Sequence, residues 1–287
     1  MRAETDAAIN AARLARRIAD SRAGADAVQF KQGIDIVTAA DVACEDAIRE
    51  ELARSFPDHL VVGEERGGEP RGGEPYWLVD PICGTRCYAS DVPLYCTNIA
   101  LVEREEVTAA VIAIGRSNEL LYAEQGGGAW LIADGDATRI EHPNRRTGDG
   151  LVTAGEYAPG REHTSRRIAT SDASNVVWIH GHGKPFADFA RTIWSDGRWF
   201  VWSFSSTVGY AYLAAGRIAG IVHMAAPDRP SEPPVHTAAG SLVVQEAGAT
   251  LTDADTGGAW TLDSRSFVIG ATPQLHRELA TLVRESR

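Results

Sequence analysis

An acid, a thiol and a turn that can open a helix fall within one short stretch, Trp77-Leu78-Val79-Asp80-Pro81-Ile82-Cys83-Gly84-Thr85. Three apolar residues run into Asp80, and Pro81, which has no N–H to give, predicts that the strand stops there. Gly84-Thr85 suit a tight turn that begins a helix. A buried strand ending in a carboxylate, followed by helical N–H groups without partners, sets an acid beside an anion-binding helix terminus.

Other residues of chemical interest lie scattered along the chain. Leu60-Val61-Val62 reads as a short strand that delivers Gly63-Glu64-Glu65, although an acidic pair after a strand is more often a solvated turn. Asp41 can cap a helix that starts at Val42. Cys83 and Cys87 would share a face if both lay on one helix, whereas Cys44 and Cys96 are most simply small core residues. His180-Gly181-His182 ends a strand at Val176–Ile179; such a pair can bind a metal, but no third ligand stands near it in sequence.

The central stretch resembles the motif W-x-x-D-P-I/L/M-D-G-T of the inositol monophosphatase family. Every position fits except the last acid, where Cys83 stands. A second signature of that family, W-D-x-A-A-G before an E-A-G run, is matched by Val235-His236-Thr237-Ala238-Ala239-Gly240 ahead of Glu246-Ala247-Gly248, with His236 in the place of the acid. Lys31, Asp35, Thr38 and Asp41 match the family's K-x-x-x-D-x-V-T-x-x-D, and Glu64-Glu65 its G-E-E. Gly126 to Trp130 is similar to its G-x-G-A-F/W turn. The R-x-x-G-S-A motif is degraded, with Phe204-Ser205-Ser206 standing where G-S-A is expected.

The resemblance implies a layered α/β/α/β/α sandwich, α/β in class, frequently dimeric. It implies one metal held by Glu64, Asp80 and the Ile82 carbonyl, and a second held by Asp80, Cys83 and His236. It further implies that Asp41 and Thr85 orient the attacking water, and that Lys31, Gly84, Thr85 and Arg86 face a small phosphorylated substrate. Arg86 replaces a small Thr, so a plain surface role is equally open. Oxygen ligands suit Mg²⁺, whereas thiolate and imidazole move the second position toward zinc. Three readings follow: a metal-assisted hydrolase with weak inherited phosphatase activity; an enzyme using Cys83 as nucleophile and His236 as base, its thiol pKa lowered at a helix start; or a binding protein.

Composition narrows the partners. A net charge of −11 disfavours nucleic acid and anionic membrane surfaces, and no apolar run approaches the ~20 residues of a membrane span. The N-terminus carries acids and no signal-peptide core, so the expectation is a cytoplasmic homodimer acting on a small molecule. Four cysteines in 287 residues do not call for disulfides in such a chain.

These residues need a scaffold, and hydrophobic periodicity supplies one. Helices are expected over 6–22, 42–56, 210–217, from 236 to 246 and over 275–285. Strands are expected at 96–102, 107–114, 120–124, 218–223, 249–251 and 267–271. The tandem Arg-Gly-Gly-Glu-Pro of residues 66–75 reads as a connector. The polar, helix-breaking run 141–150 suggests a boundary between domains 1–145 and 146–287. Trp194, Trp199, Phe200, Trp202 and Phe204 are expected to be core rather than a substrate wall.

Overall fold

Two N-terminal helices cover one face of a sheet because their buried stripes are built from small residues. In α1 (Ala3–Arg22), Ala8, Ala11, Ala12, Ala15 and Ala19 are buried, and Glu4 and Asp6 lie in the first turn, where the helix dipole favours acids. Small side chains allow close approach to α2 (Ala39–Ser55), and the Cys44 thiol donates to the Ala15 carbonyl at 3.3 Å. The computed structural model describes residues 1–23, 28–30, 36–140, 176–196, 198–203, 206–226 and 234–286.

Helix α2 begins earlier than Val42, and Asp41 is not its N-cap. Thr38 caps the helix, and Asp41, three residues on, accepts the Thr38 N–H at 2.8 Å in a capping box. A short hairpin of β1 (Val28–Phe30) and β2 (Ile36–Thr38) leads into this helix.

The first sheet follows the chain: β3 (Leu60–Gly63), β4 (Tyr76–Cys83), β5 (Cys96–Glu103), β6 (Glu106–Ile114), β7 (Leu120–Glu124), β8 (Gly128–Ala133) and β9 (Asp136–Ile140). Only β3 and β4 run parallel; the other neighbours are antiparallel hairpins. Strand β4 does not stop at Asp80, as the proline suggests. It passes through Pro81 to Cys83 with a register shift against β5 between Asp80 and Cys83, an irregularity that tolerates a residue with no N–H.

That shift sets which way the chemistry points. Tyr76 and Leu78 face the interior layer, whereas Trp77 and Val79 face α1 and α2. Strict alternation would therefore place Asp80 inward and Cys83 outward. Beyond the bulge the parity is reset: Ile82 joins the α1/α2 side and Cys83 the interior.

The second sheet has the order β11 (Phe200–Trp202), β10 (Val176–Gly181), β12 (Gly220–Met224), β14 (Phe267–Gly270), β13 (Thr250–Asp253). The first three strands are parallel and the last two join antiparallel. Helices α4 (Gly183–Asp196) and α7 (Pro273–Glu285) cover its outer face through Phe189, Ile193, Leu275 and Leu279. Between the sheets lie α5 (Val208–Ala214) and α6 (Ala238–Glu246), nearly all buried. The result is the α/β/α/β/α layering. Helix α4 and edge strand β11 were not anticipated, and the aromatic cluster around them is not core: Trp199 is buried, but Trp194, Phe200 and Trp202 are exposed. An edge strand and the outer face of a surface helix have nothing beyond them to pack against.

The proposed boundary between 145 and 146 falls outside the described residues. Among those described, no helix is long and apolar enough to cross a membrane.

A glycine at the end of β3 ties this fold to the acids that follow. A Cβ on Gly63 would sit 2.1 Å from Oε1 of Glu45, a buried acid that accepts the Glu65 N–H at 2.7 Å and the Arg66 N–H at 3.1 Å and pairs with Arg49 at 2.8 Å. Gly63→Ala should therefore lower stability by about 1–3 kcal/mol, read as a thermal midpoint lowered by several degrees with the fold retained.

Candidate functional site

Two segments far apart in sequence meet at the bulge in β4. Asp80 is fully buried, and one of its oxygens, Oδ2, lies 2.7 Å from Nδ1 of His236. His236 ends a short 3-10 turn, Pro234–His236, just ahead of α6. That helix is held at its far end by Glu246, whose two oxygens accept the Gly126 and Gly128 N–H groups, each at 2.8 Å. Asp80, Cys83 and His236 each offer a ligand atom, and these atoms all lie within 4.8 Å of one another. No other set of three among the described residues does so; Cys87 and Glu64 are not in the group.

Residues that sequence reasoning passed over complete the surroundings. The Thr207 N–H and hydroxyl both donate to the Cys83 sulfur, at 3.2 and 2.9 Å, and Asn98 donates to the Thr207 hydroxyl at 2.7 Å. Ser206 donates to the Cys83 carbonyl at 3.1 Å. Cys96, cast as a plain core residue, is the cross-strand neighbour of Cys83. The one sequence signal was the degraded G-S-A motif, which ends at Ser206 and adjoins Thr207. Phe204 and Ser205 themselves, like Lys31 and Asp35, lie outside the described residues.

The surroundings set the protons. The Cys96 thiol, burial and the Asp80 charge push the Cys83 thiol well up, against a smaller downward pull from His236. The lowering expected from a helix start does not dominate: α3 (Thr85–Ala89) is short and is separated from the sulfur by Gly84, whose φ is 99°. Burial alone would depress His236, but hydrogen bonding to Asp80 and Cys83 and their charges hold it well above its ordinary value. Without a cation, these surroundings favour the protonated forms of both the His236 ring and the Cys83 thiol.

Gly84 has to be a glycine. Its φ lies in the left-handed region, and a Cβ there would stand 2.8 Å from the Ser206 side chain and 2.9 Å from the Leu94 carbonyl. Next to it, the Thr85 hydroxyl lies 3.2 Å from both Asp41 Oδ1 and the Ile82 carbonyl. Asp41 also accepts from the Thr38 hydroxyl at 2.6 Å. Arg86 is exposed, and Glu64, half-buried, is fixed through its N–H to the Val79 carbonyl at 3.0 Å.

Burial outweighs those hydrogen bonds at Asp41 and raises its pKa to about 6. A raised carboxyl favours the fold when protonated, so its contribution is full below pH ~4 and is lost as pH rises through 6. In chelator-treated protein, the wild-type midpoint relative to that of Asp41→Asn should fall between pH 4.5 and 7. A difference that stays flat over this window would place the titration elsewhere.

One atom argues for a cation. Oδ1 of Asp80 is buried and has no hydrogen-bond partner among the described residues, a cost folded proteins seldom leave standing. A carboxylate, a thiol and an imidazole make a poor shell for Mg²⁺, which prefers oxygen. The same set fits zinc, for which all three are ordinary ligands.

The comparisons agree with this geometry at the level of the family. The chain is 29% identical over 285 residues to the "Nus factor SuhB" of Escherichia coli (strain K12), spanning 97% of this chain and 94% of the relative. It is 31% identical over 248 residues to the "Inositol-1-monophosphatase" of Rhizobium meliloti (strain 1021), spanning 85% and 81%. Among solved structures, the Thermotoga maritima IMPase superposes with a TM-score of 0.76 at 27% identity, over 98% of this chain and 96% of that one. The Bartonella henselae suhB protein, at 24% identity, shares the fold with a TM-score of 0.78, over 99% of both chains. The family profile matches residues 1–287; with the layered fold, the Asp80 bulge and the Thr85–Asp41 pair in place, the chain belongs to the inositol monophosphatase family.

Proposed function

We propose that this chain is a hydrolase of the phosphatase type, acting on a small anionic, phosphorylated metabolite through a centre rewritten for zinc. The observation that carries the proposal is the convergence of Asp80, Cys83 and His236 within 4.8 Å, with one buried Asp80 oxygen left unpaired. Asp80, Cys83 and His236 would hold the ion. When bound, it supplies positive charge opposite an anionic substrate and makes nearby water more acidic.

The chain's own residues have separate tasks in this reading. Thr207 aims the Cys83 sulfur, and Asn98 aims Thr207. Thr85 and Asp41 position a water, the Asp41 carboxyl accepting the Thr85 hydroxyl and leaving that oxygen's lone pairs to receive a water proton. Glu45 holds the turn that presents Glu64, which with Asp80 and the Ile82 carbonyl is the proposed remnant of an oxygen-rich Mg²⁺ position. The protein is proposed to work as a homodimer.

Elemental analysis of untagged protein tests the centre. Wild type is expected to hold about one zinc per chain more than Cys83→Ser; magnesium alone, or equal zinc in both proteins, would refute the rewritten site. With Mg²⁺ as the added ion, phosphate release from inositol and sugar phosphates is expected to be weak or absent.

A second reading, a non-phosphatase enzyme with Cys83 as nucleophile, draws support from the two Thr207 hydrogen bonds to its sulfur, which would steady a thiolate. The upward push on the thiol opposes it. Iodoacetamide reaction of the metal-free protein separates the two: slow alkylation below pH 8 is expected, and fast alkylation at pH 7 would favour the nucleophile. A binding role is the reading suggested by relatives named "Nus factor"; it predicts metal-independent function.

A further inference from the structure

We propose that His180 and His223, completed by His182, form a second transition-metal site with nitrogen ligands only, sharing no residue with the Asp80 centre. The three histidines stand at the C-terminal ends of the parallel strands β10 and β12, the end of an open α/β sheet where ligands collect. His180 and His223 are register partners. Their neighbours two residues back, Trp178 and Ile221, both face the interior layer, so alternation turns both imidazoles to the same face.

The spacing fits an ion. The two Nδ1 atoms are 3.1 Å apart, and two nitrogens about 2.0–2.1 Å from a tetrahedral zinc are roughly 3.3 Å from each other. An ion can therefore replace the proton the two rings now share without moving either strand. The His223 ring is stacked on Phe267, centroids 4.9 Å apart and planes 14° apart, which fixes its orientation. His182 presents its ring to that of His180 at 5.4 Å and 75°, with its backbone pinned by a hydrogen bond from its N–H to the Met224 carbonyl at 3.0 Å. Among the described residues, only the Asp80 set already has three ligand atoms within 4.8 Å. The histidine site thus receives an ion on two nitrogens, and the half-exposed His182 closes it by rotating its side chain.

Cobalt(II) titration of metal-stripped, untagged protein tests this, because a thiolate–cobalt charge-transfer band marks the Asp80 centre and a nitrogen-only site gives d–d bands without it. Two equivalents are expected in wild type, the second without a charge-transfer band. Cys83→Ser should lose the band and keep the nitrogen-type equivalent, which makes failure at one centre distinguishable from failure at the other. His180→Ala with His223→Ala should lose the nitrogen-type equivalent and keep the band. His182→Ala, at a half-exposed position, should weaken that equivalent at least about tenfold, and decides the matter if the double variant does not fold. A wild type without a nitrogen-type equivalent, or one that His182→Ala and the folded double variant leave unchanged, overturns the site.

Discussion

Cys83→Asp combined with His236→Asp is expected to raise Mg²⁺-dependent phosphate release from inositol and sugar phosphates by about a hundredfold or more over wild type, because a hard, oxygen-rich position is what Mg²⁺ requires. Most of the surroundings that such a position needs are still in place. Asp80 already points inward just ahead of the β4 bulge, and Cys83 shares its face only because that bulge resets the alternation. An Asp side chain at 83 would accept the Thr207 N–H and hydroxyl now given to sulfur. Thr85 and Asp41 stay paired, and Glu64 stays on its clamped turn.

The reversion carries a built-in control on stability. Three acids would converge where the native set has one acid and one imidazole, so the metal-free double variant should melt below wild type and recover on adding Mg²⁺. Wild type should show little Mg²⁺ response. Either single reversion should give much less activity than both. If the double variant takes up Mg²⁺, with its midpoint restored, and still releases no phosphate from any substrate in the panel, ligand replacement does not account for the altered activity. The degraded R-x-x-G-S-A motif would then be the candidate cause.

Much of this architecture was legible because periodic burial writes itself into sequence. The alanine stripe of α1 and the hairpins β5 to β7 are long, regular and two-faced, and they appear where periodicity put them. Chemistry at the ends of elements was harder to read. Pro81 ended a strand on paper, whereas the sheet absorbs it in a bulge, because a strand with neighbours on both sides can lose one hydrogen bond and continue. Asp41 looked like an N-cap, but Thr38, three residues earlier, takes that place and leaves Asp41 to answer it.

The site divides along the same line. Asp80, Cys83 and His236 were found through motif resemblance, and the structure does bring them together. Thr207, Asn98 and Cys96 carry no motif of their own; their importance comes from the register of β4 against β5 and from the packing of α5, neither of which is a local property. The exposed Trp194, Phe200 and Trp202 mark the opposite limit: hydrophobic type argued for burial, but position at a sheet edge and on an outer helix decided otherwise. His223 joined the His180 pair only through a parallel strand contact, with α4, β11 and α5 between the two strands in sequence, which is why the histidines seemed to lack a third member.

His236→Ala, in metal-free protein, should cost about 3–5 kcal/mol, a lowering of the midpoint by roughly 10 °C. Asp80 is fully buried, and His236 is its one hydrogen-bond partner among the described residues; the other oxygen already has none. Removing the imidazole leaves an uncompensated carboxylate that must either stay charged in a dry interior or take up a proton. Asp80→Asn with His236→Ala removes the charge together with its partner and should recover most of the loss, giving a coupling in a double-mutant cycle of at least about 2 kcal/mol. Asp80→Asn alone should cost less than His236→Ala, since a neutral imidazole is tolerated where a naked carboxylate is not. The direction of the pH dependence follows from the raised His236: its protonated form is the one the fold favours, so the pair's contribution is present below the ordinary histidine pKa and fades as pH climbs through the higher folded value. A loss in the double variant equal to the sum of the two single losses would show that the two side chains are not energetically joined, and the metal centre would lose its preorganised core.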